Sequence, residues 1–144
     1  MPKVFMNYPQ GTFSADALNA LAEEITTIGR ECEKLPDTPY VRSNIWIYGR
    51  EYDADKVFHG GQPRGTKVIS LEVNVVGGAL GDDSRKELIA RLTQAVGKHA
   101  GIPPQERIPV YIVIRDVPPP SWGMFGKPIT LEGLHNPPPD AKPV

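Results

Sequence analysis

Two kinds of apolar spacing alternate along this chain. An apolar residue at every second position predicts a strand, and apolar residues three or four positions apart predict a helix. The patterns follow one another as strand, helix, strand, and then again as strand, helix, strand. The predicted strands are residues 3–8, 41–48, 66–75 and 110–116, and the predicted helices are residues 15–34 and 82–101.

Local signals support the ends of both predicted helices. Ser14 stands directly before the first helix and is a candidate N-cap. In the second helix Ser84 and Glu87 have the spacing of a capping box. Gly101 and the two prolines that follow it are typical of a helix end.

The order of the elements predicts the topology. A helix that connects two neighbouring strands makes those strands parallel. We therefore predict an α/β fold, an α+β arrangement of two layers, in which two β-α-β units (about 2–49 and 66–116) form a four-stranded sheet with two helices on one face. Residues 1–135 are predicted to be a single domain, and the proline-rich residues 136–144 an extended, poorly ordered tail.

Each predicted strand has one aliphatic face and one polar or aromatic face. The aliphatic face suits the helices. The other face carries Phe5, Trp46, Tyr48 and Tyr111. A sheet face in contact with water rarely carries so many large aromatic side chains. The second face is therefore predicted to meet other subunits, which makes the protein an oligomer.

Composition narrows the class of protein. The chain has 144 residues, 40% of them hydrophobic, and a net charge of −1, which argues against nucleic acid as a partner. The apolar runs are too short to span a membrane, and the N-terminus lacks the pattern of a signal peptide. A single cysteine, Cys32, fits a reducing cytoplasm. Three scattered histidines give no metal-binding spacing.

The second residue offers chemistry of its own. Pro2 follows the initiator methionine, and removal of Met1 would expose a secondary amine. A free α-amino group titrates near pH ~8, and an apolar pocket favours its neutral form. A neutral amine can take a proton from an enol or from the carbon next to a carbonyl. The structural alternative is a proline that merely begins an edge strand.

Taken in order along the chain, an N-terminal proline on a strand followed by two β-α-β units resembles the tautomerase superfamily. The matching stretches are MPKVFMNYPQGTFS, VFHGGQ, VYIVIRDVP and WGMFGK. The length is similar to that of fused members such as cis-3-chloroacrylic acid dehalogenase and malonate semialdehyde decarboxylase. The resemblance implies a cofactor-free enzyme that forms a homotrimer, with its sheets lining a central barrel and its active sites near subunit boundaries. It also implies that Pro2 is the catalytic group.

The resemblance suggests substrate-binding residues as well. Arg42 is similar to the strand arginine that binds a substrate carboxylate in 4-oxalocrotonate tautomerase. Tyr111 matches a dehalogenase tyrosine that hydrogen-bonds substrate or water. Trp122 and Phe125 lie in a loop similar to that of the decarboxylase, where they would form apolar pocket walls. Arg115 shares the face of Tyr111 and is a candidate for positioning an anionic substrate.

Each of these binding residues has a structural alternative. Arg42 could form an ion pair between subunits, and Tyr111 could fill the barrel-facing surface. The two loop aromatics could form an oligomer contact. Arg115 could pair with Asp116 or Glu72.

The chain also departs from its fused relatives. The dehalogenase has a histidine in its first helix, two arginines after its third strand and a glutamate near its C-terminus. The matching positions here are Gly29, Gly77, Leu80 and about Met124. These departures disfavour dehalogenation and decarboxylation.

The sequence therefore predicts a keto–enol tautomerase, an isomerase without a cofactor or a metal, that acts on a small 2-oxo or enol carboxylic acid. Pro2 would shuttle the proton once Met1 has been removed. One alternative is a hydratase or dehalogenase of a small unsaturated acid. The other is a non-enzymatic trimeric binding protein with vestigial tautomerase activity.

Overall fold

The alternating segments form a four-stranded sheet, and the segments with helical spacing lie across it. The computed structural model describes residues 2–64 and 67–144. The strands are β1 (Lys3–Pro9), β2 (Trp46–Tyr52), β3 (Phe58–His59), β4 (Gln62–Pro63), β5 (Ile69–Val76), β6 (Val110–Val117), β7 (Gly123–Met124) and β8 (Lys127–Pro128). The helices are α1 (Ala15–Cys32), α2 (Pro39–Ser43), α3 (Asp82–His99) and α4 (Leu131–His135), with single 3-10 turns at Ala54–Lys56 and Pro119–Ser121.

The main sheet has the strand order β2-β1-β5-β6. β1 pairs with β2 in parallel, and β5 pairs with β6 in parallel. An antiparallel ladder between β1 and β5 joins the two halves, with Lys3 opposite Asn74. The predicted pair of β-α-β units in one four-stranded sheet is confirmed.

The core lies between the sheet and the two long helices. The aliphatic faces of β1 and β5 are buried against the apolar stripes of α1 and α3. Its fully buried side chains include Val4, Met6, Leu21, Ile25, Ile69, Leu71, Val73, Leu88 and Leu92. The prediction of two helices on one face is therefore confirmed.

The opposite face of the sheet is open in the single chain. Phe5 stacks on Tyr48 with ring centroids 5.0 Å apart. The Arg50 guanidinium lies 4.4 Å from the centre of the Phe5 ring. Tyr111 is 78% exposed and Val113 is 49% exposed. This face has the aromatic and apolar character that predicts contacts with further subunits.

Of the two predicted helix starts, one is confirmed and the other is wrong. The Ser14 hydroxyl accepts a hydrogen bond from the backbone N–H of Ala17 at 3.1 Å, so the predicted N-cap is confirmed. The predicted capping box at Ser84 is wrong, because α3 already begins at Asp82 and its N-cap is Gly81, without a side-chain cap.

The predicted strand 41–48 is wrong in its first half. Residues Pro39–Ser43 form α2, and β2 begins only at Trp46. The Thr38 hydroxyl caps this helix by accepting from the Val41 N–H at 3.2 Å. Pro39 stands at the start of the helix, where its fixed φ favours a helical turn. Arg42 therefore lies on a helix instead of a strand.

A second apolar cluster closes the end of the sheet where β1 begins. It contains Leu35, Val41, Ile45, Val76, Ile129 and Leu134, with Trp122 and Met124 packed against it. Residues 117–127, predicted to be a loop, include β7 and the start of the β7–β8 hairpin, and the hairpin leads into α4. In the tail the Val144 N–H donates to the Ser43 hydroxyl at 3.0 Å. The proposed domain boundary at residue 135 remains a prediction.

None of the helices in the described ranges has the length and apolar character needed to cross a membrane. Among residues 2–64 and 67–144, no three His, Cys, Asp or Glu side chains form a group that could hold a metal ion.

Truncation of Leu71 tests the main core. Leu71 is fully buried on β5, between β1 and β6. We expect Leu71→Ala to lower the free energy of unfolding by about 2–5 kcal/mol, because it removes buried apolar surface and leaves a cavity. Denaturant unfolding at a fixed protein concentration measures this change. Ile89→Ala, at a position 42% exposed on α3, serves as the control and is expected to change little.

The contact between α1 and α3 predicts a pH dependence. Glu24 on α1 accepts hydrogen bonds from Lys98 at 2.9 Å and His99 at 2.8 Å, both on α3. These bonds lower the pKa of the Glu24 carboxyl below its ordinary value of 4.5. A lowered carboxyl pKa stabilises the folded state above the ordinary value, and this contribution is lost as the pH falls through the lowered value.

We therefore expect Glu24→Gln to be less stable than the wild type at pH 7. The difference should shrink as the pH drops below 4.5, and unfolding free energies measured across this range give the comparison. Glu106→Gln, which changes an exposed carboxyl outside any ion pair of the described residues, is the control. A difference that stays constant from pH 7 to pH 3 would contradict the role of Glu24.

Candidate active site

Pro2 is buried directly before β1 and packs against α1. A Cβ atom built on Gly29 would lie only 2.6 Å from Cγ of the Pro2 ring. No side chain tolerates this distance, so the ring reaches the helix only because residue 29 is glycine. The first residue after the initiator methionine thus has a fixed place against the helix.

Glu33 is a buried acid near the same place that the sequence argument missed. It is the residue directly after α1 and follows Gly29 by four positions, so it lies on the same side of the helix end. It is only 2% exposed. Burial raises the pKa of its carboxyl, and the charge of His135 opposes that rise. In the sequence, the burial of Glu33 was indicated only by its position eight residues after Ile25, on the apolar stripe of the helix.

His135 links α4 to the end of α1. Its Nε2 lies 3.0 Å from the backbone carbonyl oxygen of Glu33, and its Nδ1 lies 2.8 Å from that of Leu131. Both carbonyls can only accept hydrogen bonds. The contact with the Glu33 carbonyl therefore lets α4 hold the backbone of Glu33 in position.

A cavity of about 180 Å³ lies beside Lys3, the residue after Pro2. Its lining residues are Lys3, Asn44, Trp46, Trp122, Gly123, Met124 and Phe125. They come from the start of β1, from the residue after α2, from the start of β2, and from the β7–β8 hairpin with the residue before it. Three of the seven lining residues are aromatic.

The β7–β8 hairpin brings the two predicted loop aromatics to this cavity. Phe125 and Gly126 form the turn with φ values of +52° and +78°. The carbonyl of Trp122 accepts from the Ile129 N–H at 3.0 Å, which fixes the base of the hairpin. The structure therefore places Trp122 and Phe125 beside Lys3, at the start of β1.

Lys3 supplies a positive charge at the cavity. Its ammonium lies 5.3 Å from the ring centres of Phe5 and Tyr48. It forms no ion pair with any acid of the described residues. A cation over aromatic faces without an acidic partner is available to an anionic ligand.

Two acidic side chains form ion pairs with Arg42. Its guanidinium forms ion pairs with Glu23 on α1 and with Asp37, the latter at 3.5 Å. These are contacts within one chain, whereas the structural alternative drawn from the sequence was a pair between subunits. Its role as a carboxylate anchor stays a prediction.

The two predicted residues on β6 lie at different distances from Pro2. Arg115 on β6 lies opposite Asn74 on β5, and Asn74 lies opposite Lys3 on β1. Arg115 forms an ion pair with Glu72 at 3.4 Å. Tyr111 is level with Asn7, four residues further along β1. At ~3.3 Å per residue this separation is ~13 Å. Tyr111 lines another groove, which it shares with Asn7 and Arg50.

Comparison with known proteins identifies the fold. Residues 70–132 match the family model described as "Tautomerase enzyme". No curated protein sequence matches the chain.

Three solved structures show the similarity over nearly the whole chain. A fused 4-OT, Q0, described as a wild-type symmetric trimer, has a TM-score of 0.72 at 22% identity and covers 88% of this chain and 94% of its own. Pt0534, inactivated by 2-oxo-3-pentynoate, has a TM-score of 0.73 at 22% identity and covers 92% and 98%. N1, a member of the cis-3-chloroacrylic acid dehalogenase family, has a TM-score of 0.73 at 16% identity and covers 89% and 83%.

The chain thus has the fold of the tautomerase superfamily, in the arrangement of its fused members. The resemblance inferred from the sequence motifs is confirmed.

Proposed function

We propose that this chain is a cofactor-free keto–enol tautomerase that uses the amine of Pro2 to move a proton on a small 2-oxo or enol carboxylic acid. The observation that carries the proposal is the burial of Pro2 against Gly29, at the start of the strand beside the cavity. The tautomerase fold and the match of residues 70–132 support it.

The proposed reaction moves one proton from oxygen to carbon. The neutral amine takes the enol hydroxyl proton, and the resulting ammonium delivers a proton to the neighbouring alkene carbon, which leaves a ketone and restores the neutral amine. No group is lost and no electron is transferred. Burial favours the neutral amine that this step needs. Removal of Met1 is required, because a peptide nitrogen is not a base.

The aromatic residues that line the cavity would shield the reaction from water. Trp46, Trp122 and Phe125 surround the space beside Lys3 and would exclude water from a bound acid. We further propose that the chain acts as a homotrimer, which the trimeric neighbour and the open aromatic face of the sheet support, and that it works in the cytoplasm.

Glu33 gives specific support to a second candidate, a hydratase or dehalogenase of a small unsaturated acid. That reaction needs a carboxyl to activate water, and Glu33 is a carboxyl buried on the face of α1 that meets Pro2. Proton NMR of small unsaturated acids incubated with the enzyme separates the two candidates. A hydrated product supports the second, and an isomer without added water supports the first.

Replacement of the proline amine tests the proposed chemistry. With phenylenolpyruvate as the probe, we expect Pro2→Ala to lower kcat/KM for ketonisation by about 10²–10⁴-fold, the usual contribution of a positioned acid–base group. A variant with one extra alanine before Pro2 should lose the activity as well, because its proline nitrogen lies in a peptide bond. Intact mass should show that the native chain begins at Pro2.

Equal rates for the wild type and both variants would exclude Pro2 as the proton carrier. Binding of the probe without turnover would favour the alternative of a trimeric binding protein.

The contact between Gly29 and Pro2 gives an independent prediction. The new Cβ of Gly29→Ala would force the proline ring away from the helix. A displaced catalytic group reduces turnover, so we expect kcat to fall by up to about 10²-fold with a smaller change in KM. Steady-state kinetics measures both constants.

Gly97→Ala is the matched control for Gly29→Ala. Gly97 is likewise a buried glycine within a long helix, but its new Cβ would meet Ile108 instead of Pro2, at 2.4 Å. This variant should keep the wild-type kcat even where its stability changes. A similar fall in kcat in both variants would show that the effect does not act through Pro2.

A further inference from the structure

The two halves of the chain are related by an approximate two-fold axis through the sheet. In the order β2-β1-β5-β6 the middle strands are antiparallel, so exchange of the halves places β1 on β5 and β2 on β6. The shorter elements repeat as well, because a 3-10 turn and a two-stranded hairpin follow β2, and the same two elements follow β6. Each feature at the end of the sheet where β1 begins therefore has a counterpart at the opposite end, where β5 begins.

The open face of the sheet carries a matching row of side chains at each end. The near row, beside Pro2, runs across β2, β1, β5 and β6 as Trp46, Lys3, Asn74 and Arg115. The far row, read in the exchanged order β6, β5, β1 and β2, runs as Tyr111, Ser70, Asn7 and Arg50. Each row thus has an aromatic residue, a polar residue, an asparagine and an arginine in the same order.

A groove of about 410 Å³ lies at the far row. All four side chains of the far row line it, together with Tyr52 at the end of β2 and residues 56–58, which lead into the β3–β4 hairpin. The cavity beside Lys3 is likewise lined by residues of the near row and of the β7–β8 hairpin. The groove is therefore built from the same elements as the candidate active site, at the opposite end of the sheet.

Two cations line this groove without an acidic partner. The Arg50 guanidinium lies over the Phe5 ring, 4.4 Å from its centre. Neither Arg50 nor Lys56 forms an ion pair with an acid in the part of the chain that the structure describes. The acid among the lining residues is Glu72, which pairs with Arg115 at 3.4 Å. The groove therefore offers two positive charges to an anion.

Ser70 adds a hydroxyl donor to these charges. Its Oγ accepts a hydrogen bond from Nδ2 of Asn7 at 3.2 Å, and Oδ1 of Asn7 accepts from the Tyr52 hydroxyl at 3.4 Å. The Ser70 O–H donates to no acceptor among the described residues, so it is available to an oxygen atom of a ligand. Exposed rings surround these polar groups, since Phe58 is 61% and Tyr111 is 78% exposed. Such rings offer a flat apolar surface to another aromatic ring.

The counterpart of Pro2 in the far half cannot act as a base. Exchange of the halves places Ile69 at the position of Pro2. Ile69 is inside the chain, and its backbone N–H donates to the Pro109 carbonyl at 3.0 Å. A peptide nitrogen does not accept a proton, so this position can support binding but not proton transfer.

We propose that the groove is a second, non-catalytic binding site for an aromatic carboxylate. The carboxylate pairs with Arg50 and Lys56 and accepts a hydrogen bond from the Ser70 hydroxyl. The ring of the ligand lies against Phe58 and Tyr111. This site is separate from the cavity beside Pro2, and its existence does not depend on the proposed tautomerase function.

The test compares two ligands that share a ring and differ in charge, 2-naphthoate and 2-naphthalenemethanol. Each is titrated calorimetrically into the full chain carrying Lys3→Gln, which removes the cation of the other cavity. We expect 2-naphthoate to bind one site per chain about tenfold or more tightly than the alcohol, the effect of a charge-assisted hydrogen bond. Further substitution with Arg50→Gln and Lys56→Gln should bring this ratio to about one. Lys142→Gln, at an exposed cation of the tail, is the control and should leave the ratio unchanged.

Backbone amide NMR of the wild-type chain locates the site without the Lys3→Gln substitution. Addition of 2-naphthoate should shift the amide signals of Ser70 and Tyr111, and the Arg50→Gln/Lys56→Gln variant should lose these shifts. Pro2→Ala should keep them, because the groove lies at the other end of the sheet.

A ratio near one in Lys3→Gln, or a ratio that survives removal of both cations, would overturn this inference. Amide shifts confined to the residues around Lys3 would do the same. Sedimentation equilibrium identifies the competing occupant, a second copy of the chain. If the wild type does not bind 2-naphthoate and the Arg50→Gln/Lys56→Gln variant changes its oligomeric state, the groove is a subunit contact and the proposed ligand site is wrong.

Discussion

The antiparallel ladder between β1 and β5 is the interaction on which the rest of the structure depends. Each half of the chain contributes one parallel strand pair, and this ladder joins the two pairs into one sheet with both long helices on the same side. A slip of one residue would turn every side chain of β1 to the opposite face. Val4 and Met6 would then leave the core, and Pro2 would lose its place against Gly29. The register of one strand pair thus sets the position of the candidate catalytic group.

The candidate site is assembled from short pieces around the end of β1. Helix α1 supplies Gly29 and Glu33, the residue after α2 is Asn44, and the β7–β8 hairpin supplies the aromatic walls. Helix α1 belongs to the main core, whereas α2 and the hairpin are held by the second apolar cluster. Because the cluster buries Val41 and Leu134, the placement of the small helices depends on it. Variation in this cluster can reshape the cavity while the sheet stays the same.

Sequence patterns could predict the sheet because its strands alternate and its long helices carry clear apolar stripes. The start of β2 was missed because Val41 is a typical strand residue, although Thr38 and Pro39 are typical of a helix start. The motif likeness proposed Trp122 and Phe125 as pocket walls, and both line the cavity beside Lys3. Glu33 had only its position relative to the apolar stripe of α1 as a signal and Asn44 had none, because the burial of a polar side chain depends on α4 and on a hairpin that are distant along the chain.

The glycine in α1 also limits how this chain could evolve. Any residue other than glycine at position 29 would place its Cβ atom 2.6 Å from the proline ring. A substitution there therefore requires a simultaneous change in how the first residues of the chain lie against the helix. Made alone, it would be selected against wherever the function depends on the proline.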